Sequence, residues 1–279
     1  MTPVLIDVPA LMEKRSQGAP LRLLDVRWEL GRTDGHAQYL AGHIPGAVYV
    51  DLDGELSAPP GPGGRHPLPA PEDFAAAARR WGINDGDLVV AYDASGGSAA
   101  ARAWWLLRHA GFGNVRLLDG GLRAWQDAGG RLAGGDELPE PGSAGLSWGH
   151  MPVADLARAG QLGQEGVLLD ARAPERYRGE TEPVDPQAGH IPGAVNVPAA
   201  GNLDERGRYL SPPQLRARFE AAGVDGVRPT AAYCGSGVFA AGEVAALALA
   251  GFEAALYPGS WSEWSTVPGQ PVATGDGER

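Results

Sequence analysis

A single cysteine, Cys234, stands among 279 residues. That excludes an internal disulfide and any C-x-x-C pair of the zinc or thiol-redox kind. Positive charge is also scarce, with 23 Lys and Arg against 34 Asp and Glu and a formal net charge of −11. This balance argues against nucleic acid or an anionic membrane surface as partner. No apolar run approaches the roughly 20 residues that a spanning helix needs. The opening stretch, "MTPVLIDVPALMEKRSQGAP", lacks a basic segment followed by an apolar core. No secretory signal is predicted, and the cytoplasm is the expected compartment. What remains is 43% hydrophobic and 20% charged, the composition of a folded globular protein rather than a disordered one.

The length is too great for one ordinary core and suits two domains. Self-similarity gives the same answer. "LRLLDVR" at 21–27 matches "GVLLDAR" at 166–172, and "AGHIPGAVYV" at 41–50 matches "AGHIPGAVNV" at 188–197. "VVAYDASGGS" at 89–98 then matches "TAAYCGSGV" at 230–238, and "LLDGGLRAW" at 117–125 matches "LYPGSWSEW" at 256–264. The order is identical in both halves. Between them, 131–147 is rich in Gly, Pro and acidic residues and reads as a linker. The predicted domains are therefore 1–130 and 148–279. The final "VPGQPVATGDGER" reads as a polar tail.

Within each half, strand-like runs alternate with helical patterns. "DLVVAYD" has no polar alternation, as expected of a strand covered on both faces. "PEDFAAAARRWG" carries Pro71 at a helix start, acidic residues in the first turn and Gly82 past the end. "SPPQLRARFEAAG" offers Ser211 as N-cap and Gly223 as stop. The predicted fold class is α/β, two domains each with a mostly parallel sheet flanked by helices on both faces.

The repeated loop changes one residue, Asp93 in the first copy and Cys234 in the second. In an open parallel sheet, ligands bind beyond the carboxyl ends of the strands. A Gly-rich turn entering a helix there aims several backbone N–H groups at one spot, with the helix dipole behind them. A sulfur at that spot is favoured as thiolate, and Gly235 and Gly237 leave the backbone free to curl around it. A buried cysteine acting as a small hydrophobe is the plainer reading, but the strand-end turn favours a nucleophile. A cysteine–histidine hydrolase would need His190 as base. Yet His43 repeats that motif in the half without cysteine, which points to a structural role for both. A cysteine phosphatase would need an arginine where Ala240 stands. What is left is attack on a soft sulfur atom, held afterwards as a persulfide.

These motifs resemble the rhodanese family, specifically its tandem-domain sulfurtransferases. The resemblance rests on "LLDVRW", "GHIPGAVYVDLD", "GGRHPLPAPEDF", "LLDAR…ERYRG…GHIPGAVNVP" and "YCGSGV", and covers nearly the whole chain. It implies an inactive first domain, with Asp93 in place of the nucleophile, and a catalytic second one. Cys234 matches the persulfide-forming nucleophile. Gly235, Ser236, Gly237, Val238 and Phe239 match the loop whose N–H groups cradle the sulfur, with Phe239 where many relatives have Thr. Arg176 matches the arginine that neutralises the donor's acidic group, a role suited to a bidentate guanidinium. Arg178 ranks second. Asp53 and His66 match polar residues that some relatives bring to the cleft.

Two donors are usual in that family, 3-mercaptopyruvate and thiosulfate. The loop after Cys234 carries no charge and a hydroxyl at Ser236, which resembles the mercaptopyruvate type. Ser236 would bond the donor carbonyl or help protonate the leaving enolate, or it caps the following helix. Against this, the segment where mercaptopyruvate enzymes often hold a second arginine reads "TEPVDPQAGH", with Asp185 near that position. Thiosulfate:cyanide transfer and a persulfide relay without small-donor turnover stay open as alternatives, with a non-catalytic scaffold behind them. The expected acceptor is cyanide or a thiol such as a reduced thioredoxin-like protein. No metal and no organic cofactor is expected.

Overall fold

The computed structural model describes residues 3–276. The chain divides into two compact units, and their borders differ from the sequence halves at 59–68, 148–151 and 204–209. One unit takes the chain up to Ala58, Pro69–Met151 and Asp204–Tyr209. The other takes Pro59–Leu68, Pro152–Leu203 and the chain from Leu210 onward.

The first unit runs β1 (Leu5–Ile6), α1 (Val8–Ser16), β2 (Leu21–Asp25), α2 (Gly35–Ala41), β3 (Ala47–Tyr49) and α3 (Leu52–Glu55). It continues through α4 (Pro71–Arg80), β4 (Leu88–Tyr92), α5 (Ser98–His109), β5 (Val115–Leu118) and α6 (Gly121–Asp127). Its five strands lie in the order β1-β5-β4-β2-β3, and every pairing is parallel. The second unit holds α7 (Leu156–Glu165), β6 (Val167–Asp170), α8 (Pro174–Tyr177), β7 (Val195–Asn196) and a 3-10 turn at Ala199–Asn202. Then come α9 (Pro212–Ala221), β8 (Thr230–Tyr233), α10 (Val238–Leu249), β9 (Ala255–Leu256) and α11 (Ser260–Trp264). Its sheet is β7-β6-β8-β9, also parallel throughout.

Local chemistry accounts for the helix starts. Asp7 accepts from the N–H of Ala10 at 2.8 Å and Asp155 from that of Arg158 at 2.7 Å, each capping the first helix of its unit. Pro71 opens α4 with Glu72 and Asp73 behind it, and Arg79 and Arg80 close it. Ser211 precedes α9, its N–H donating to Gln214 Oε1 at 3.1 Å. The strand predicted as covered on both faces is so, since every residue of β4 is buried, and β8 is buried likewise.

The repeat is visible in the cores. Ile44, Tyr92 and Trp125 sit in the first, where Ile191, Tyr233 and Trp264 sit in the second. Arg27 grips Asp25 at 2.7 and 3.0 Å and donates to Gly42 O, and Arg172 grips Asp170 and donates to Gly189 O at the same 2.7 Å. His43 and His190 are fully buried. His190 Nδ1 lies 2.8 Å from Tyr177 O, and His43 Nδ1 lies 3.0 Å from Tyr39 O. A carbonyl only accepts, so Nδ1 carries the proton in each. Burial pushes His190 below the ordinary histidine range, and each ring stacks on the tyrosine it bonds. Both histidines hold the fold.

The same turns anchor two segments whose composition reads as loose. His43 and Ala133 exchange backbone hydrogen bonds, as do His190 and Ala273. Trp125 Nε1 donates to Arg131 O and Trp264 Nε1 to Pro271 O, both at 2.9 Å. Gly142, Ala144 and Ser147 donate to Arg79, Ile83 and Ala110. Residues 131–147 therefore run as a strap bound to the first unit rather than as a free tether. The stretch expected to be a polar tail is bound likewise at 271–273, while 277–279 lie outside the described residues.

Candidate active site

β8 ends at Tyr233 and α10 begins at Val238, which puts Cys234 in the turn at the carboxyl end of a central strand. Gly237 has φ +81°, and a Cβ there would lie 2.5 Å from Pro258 O, so only glycine fits this turn. In that conformation the Gly237 N–H points back at Cys234 Sγ, 3.1 Å away. The N–H groups of the first turn of α10 have no intrahelical acceptor, and they follow directly from this point. Val238 is buried and Phe239 is exposed. The Phe239 residue thus stands largely toward solvent.

α11 braces the loop from the other side. Cys234 N–H donates to Ser260 Oγ at 3.1 Å, while Trp261 and Ser262 donate their N–H groups to Cys234 O and Gly235 O at 3.0 and 2.9 Å. Ser260 has φ +53°, and no other non-glycine described residue has positive φ. A left-handed serine is costly, and such strain gathers where surrounding structure fixes a functional geometry. Nothing in "PGSWSEW" signalled this brace.

Residues 59–68 lie over the loop. Arg65 N–H donates to Ser262 Oγ at 3.0 Å, and His66 Nδ1 is 2.7 Å from Ser236 Oγ. His66 thus touches the Cys234 loop. Cys234 itself is 1% exposed. In this conformation its sulfur is covered.

Two guanidiniums face the loop where Gly235 has no side chain. A Cβ on Gly235 would lie 3.0 Å from Arg65 Nη2 and 3.4 Å from Arg176 Nη1. Arg176 donates to Glu182 at 2.6 Å and to Asp185 at 3.2 Å, and Arg65 is bonded to Asp185 as well. Glu182 also accepts from the N–H groups of Val184 and Asp185. Burial works against its charge, but the Arg176 hydrogen bond and these N–H groups win and hold its carboxyl below the usual range. For Asp185 burial wins and pushes the carboxyl up, against the pull of Arg65. Arg65, Glu182 and Asp185 complete a cluster of which sequence reasoning named Arg176 as a site residue and Asp185 only as standing near the place of a second arginine. Arg65 was legible as the neighbour of His66, but its partner lies 120 positions away.

Two further expected residues are Arg178 and Asp53. Arg178 turns to Glu180, at 2.7 and 2.9 Å. No bond from it to the Cys234 loop occurs among the described residues. Asp53 is on α3 of the first unit, where it accepts from Trp28 Nε1 at 3.1 Å.

The matching loop of the first unit shows what such a turn binds. Asp93 Oδ1 accepts from the N–H groups of Ser95 and Gly97 at 3.0 and 2.8 Å, and Oδ2 from that of Ala100 at 3.1 Å. Gly97 is left-handed at φ +84°, as Gly237 is. Here the carboxylate of the chain itself fills the cradle. Burial pushes Asp93 up, while these N–H groups pull it down.

The rhodanese-like domain model matches twice, over 8–128 and 154–266. The chain belongs to the rhodanese family. It is 48% identical to SseB of Mycobacterium tuberculosis, provisionally named a thiosulfate sulfurtransferase, over 98% of this chain and 97% of that one. It is equally 48% identical to a Pseudomonas aeruginosa protein provisionally named a 3-mercaptopyruvate sulfurtransferase, over 92% of this chain and 93% of that one. The crystal structure of SseA from Escherichia coli, described by its rhodanese fold and 3-mercaptopyruvate chemistry, superposes with a TM-score of 0.82. It is 34% identical, covering 94% of this chain and 100% of that chain. No described helix is long and apolar enough to cross a membrane.

Proposed function

We propose that this rhodanese-family protein is a sulfurtransferase that takes sulfur from 3-mercaptopyruvate through a persulfide on Cys234. The observation that carries the reading is the Gly237 N–H directed at the sulfur from 3.1 Å, in a turn whose twin holds a carboxylate. Such a turn suits a thiolate and the S–S⁻ group that follows it. The thiolate attacks the donor sulfur, the donor's C–S bond breaks, and the electron pair leaves on the enolate of pyruvate. The sulfhydryl proton of the donor moves to the enolate carbon, so pyruvate departs and Cys–S–S⁻ remains. Ser236, paired with His66, is the group placed to pass that proton. A thiol or cyanide then takes the outer sulfur and restores the thiolate. Arg176 seats the donor carboxylate. Because Cys234 is covered, turnover requires residues 59–68 to shift.

Charge favours the mercaptopyruvate reading over the thiosulfate name of the Mycobacterium relative. Arg65, Arg172 and Arg176 are linked by ion pairs to Asp170, Glu182 and Asp185, so the cluster is balanced. A compact dianion fits a neutral, part-buried cluster less well than a monocarboxylate does. The test is kcat/KM for both donors with cyanide as acceptor. Mercaptopyruvate is expected to lead by about tenfold or more, a difference of one charged hydrogen bond. A preference for thiosulfate would reject this donor. We place the protein in the cytoplasm on its single-cysteine composition. A reduced thioredoxin-like protein is the natural class of thiol acceptor.

A further inference from the structure

Four features of Arg65 stand apart from a surface loop arginine. Its guanidinium lies beside the open face of Gly235, 3.0 Å from where a Cβ would sit. It shares Asp185 with Arg176. Its backbone is pinned by Ser262. Its Nε is buried, and no acceptor reaches it among the described residues. A buried N–H without an acceptor is unfavourable unless something supplies one. Here it belongs to a cation that faces the nucleophile's loop.

We infer that Arg65 is a second donor-seating cation, placed with Arg176 on the open side of Gly235, and that Asp185 holds the two guanidiniums together. This rests on the sulfurtransferase reading. A guanidinium held through Nη1 by Asp185 keeps Nε and Nη2 as a parallel pair of donors for a carboxylate. Arg65 and Arg176 then offer one anion site from two directions, with Gly235 leaving the room between them. Asp185 has a second effect, because its charge keeps the pair from becoming a site for dianions.

The test reads the site in two ways, one of which needs no sulfur transfer. Cys234 is the sole thiol, so its alkylation by iodoacetate, an anion, and by iodoacetamide, its neutral analogue, reports the local field directly. In Arg65→Ala the ratio of the two rates is expected to fall about tenfold relative to wild type. KM for mercaptopyruvate should rise by a similar factor, with kcat changed much less. Arg65→Lys should restore most of the ratio, and Asp185→Asn should improve thiosulfate turnover relative to mercaptopyruvate. General loosening of residues 59–68 would speed both reagents together and leave the ratio intact. An unchanged ratio in Arg65→Ala, with unchanged KM, overturns the inference. If wild type turns over neither donor, the sulfurtransferase reading fails, while the alkylation ratio still decides whether Arg65 serves an anion site.

Discussion

Gly237 donates its backbone N–H to the sulfur of Cys234 at 3.1 Å. One repeat earlier, Gly97 donates the corresponding N–H to the carboxylate of Asp93 at 2.8 Å. The duplicated turn thus keeps its backbone donor and changes the side chain that the donor meets. In the first unit the occupant is a permanent side chain. In the second it is a sulfur that our reading makes exchangeable.

If Asp93 is that permanent occupant, Asp93→Ala leaves the N–H groups of Ser95, Gly97 and Ala100 without their acceptor. A loss of stability of about 1–3 kcal/mol or more is expected, read by thermal or urea unfolding. The kcat of the folded fraction should not change, because these bonds close within the loop's own unit. Undiminished stability would show that the carboxylate is dispensable.

Ser236 Oγ and His66 Nδ1 lie 2.7 Å apart at the loop. Ser236→Ala is expected to lower kcat for mercaptopyruvate by about 10²-fold, the usual weight of a positioned proton-transfer group. The rate of thiosulfate turnover, which has no enolate to protonate, should fall far less. Equal losses with both donors would make Ser236 a helix cap and nothing more.

Glu243, fully buried on α10, is pushed up to about 8 by burial, against the pull of Asn202 and Arg218. Its folded pKa lies above its ordinary 4.5, so the folded state holds a proton that the unfolded chain has released. Stability therefore falls as pH rises from about 4.5 to about 8. Glu243→Gln removes the titration. It should raise Tm at pH 8 and lose that advantage near pH 5, over a span worth on the order of a few kcal/mol. A Tm difference independent of pH would contradict this.

How much of this was legible from sequence follows from the range of each interaction. The Cys234 loop and the strand and helix runs depend on neighbours in sequence, and the residue pattern revealed them; their strict alternation in turn implied the parallel sheets. Arg176 was found through a short motif. Arg65, Glu182 and Asp185 were missed as a cluster, because the bond between residues 65 and 185 is a product of folding and 59–68 has the Gly/Pro content of any surface loop. The straps at 131–147 and 271–273 were missed for a similar reason. Their order comes from backbone bonds to the turns at His43 and His190, which composition does not register.

The most direct measurement is the intact mass of the protein after brief exposure to mercaptopyruvate without acceptor, followed by peptide mapping. The account expects one added sulfur atom on the peptide bearing Cys234, one pyruvate released per chain, and removal of that mass by cyanide. Pyruvate release with no mass change at Cys234, or sustained turnover by Cys234→Ser, would contradict it.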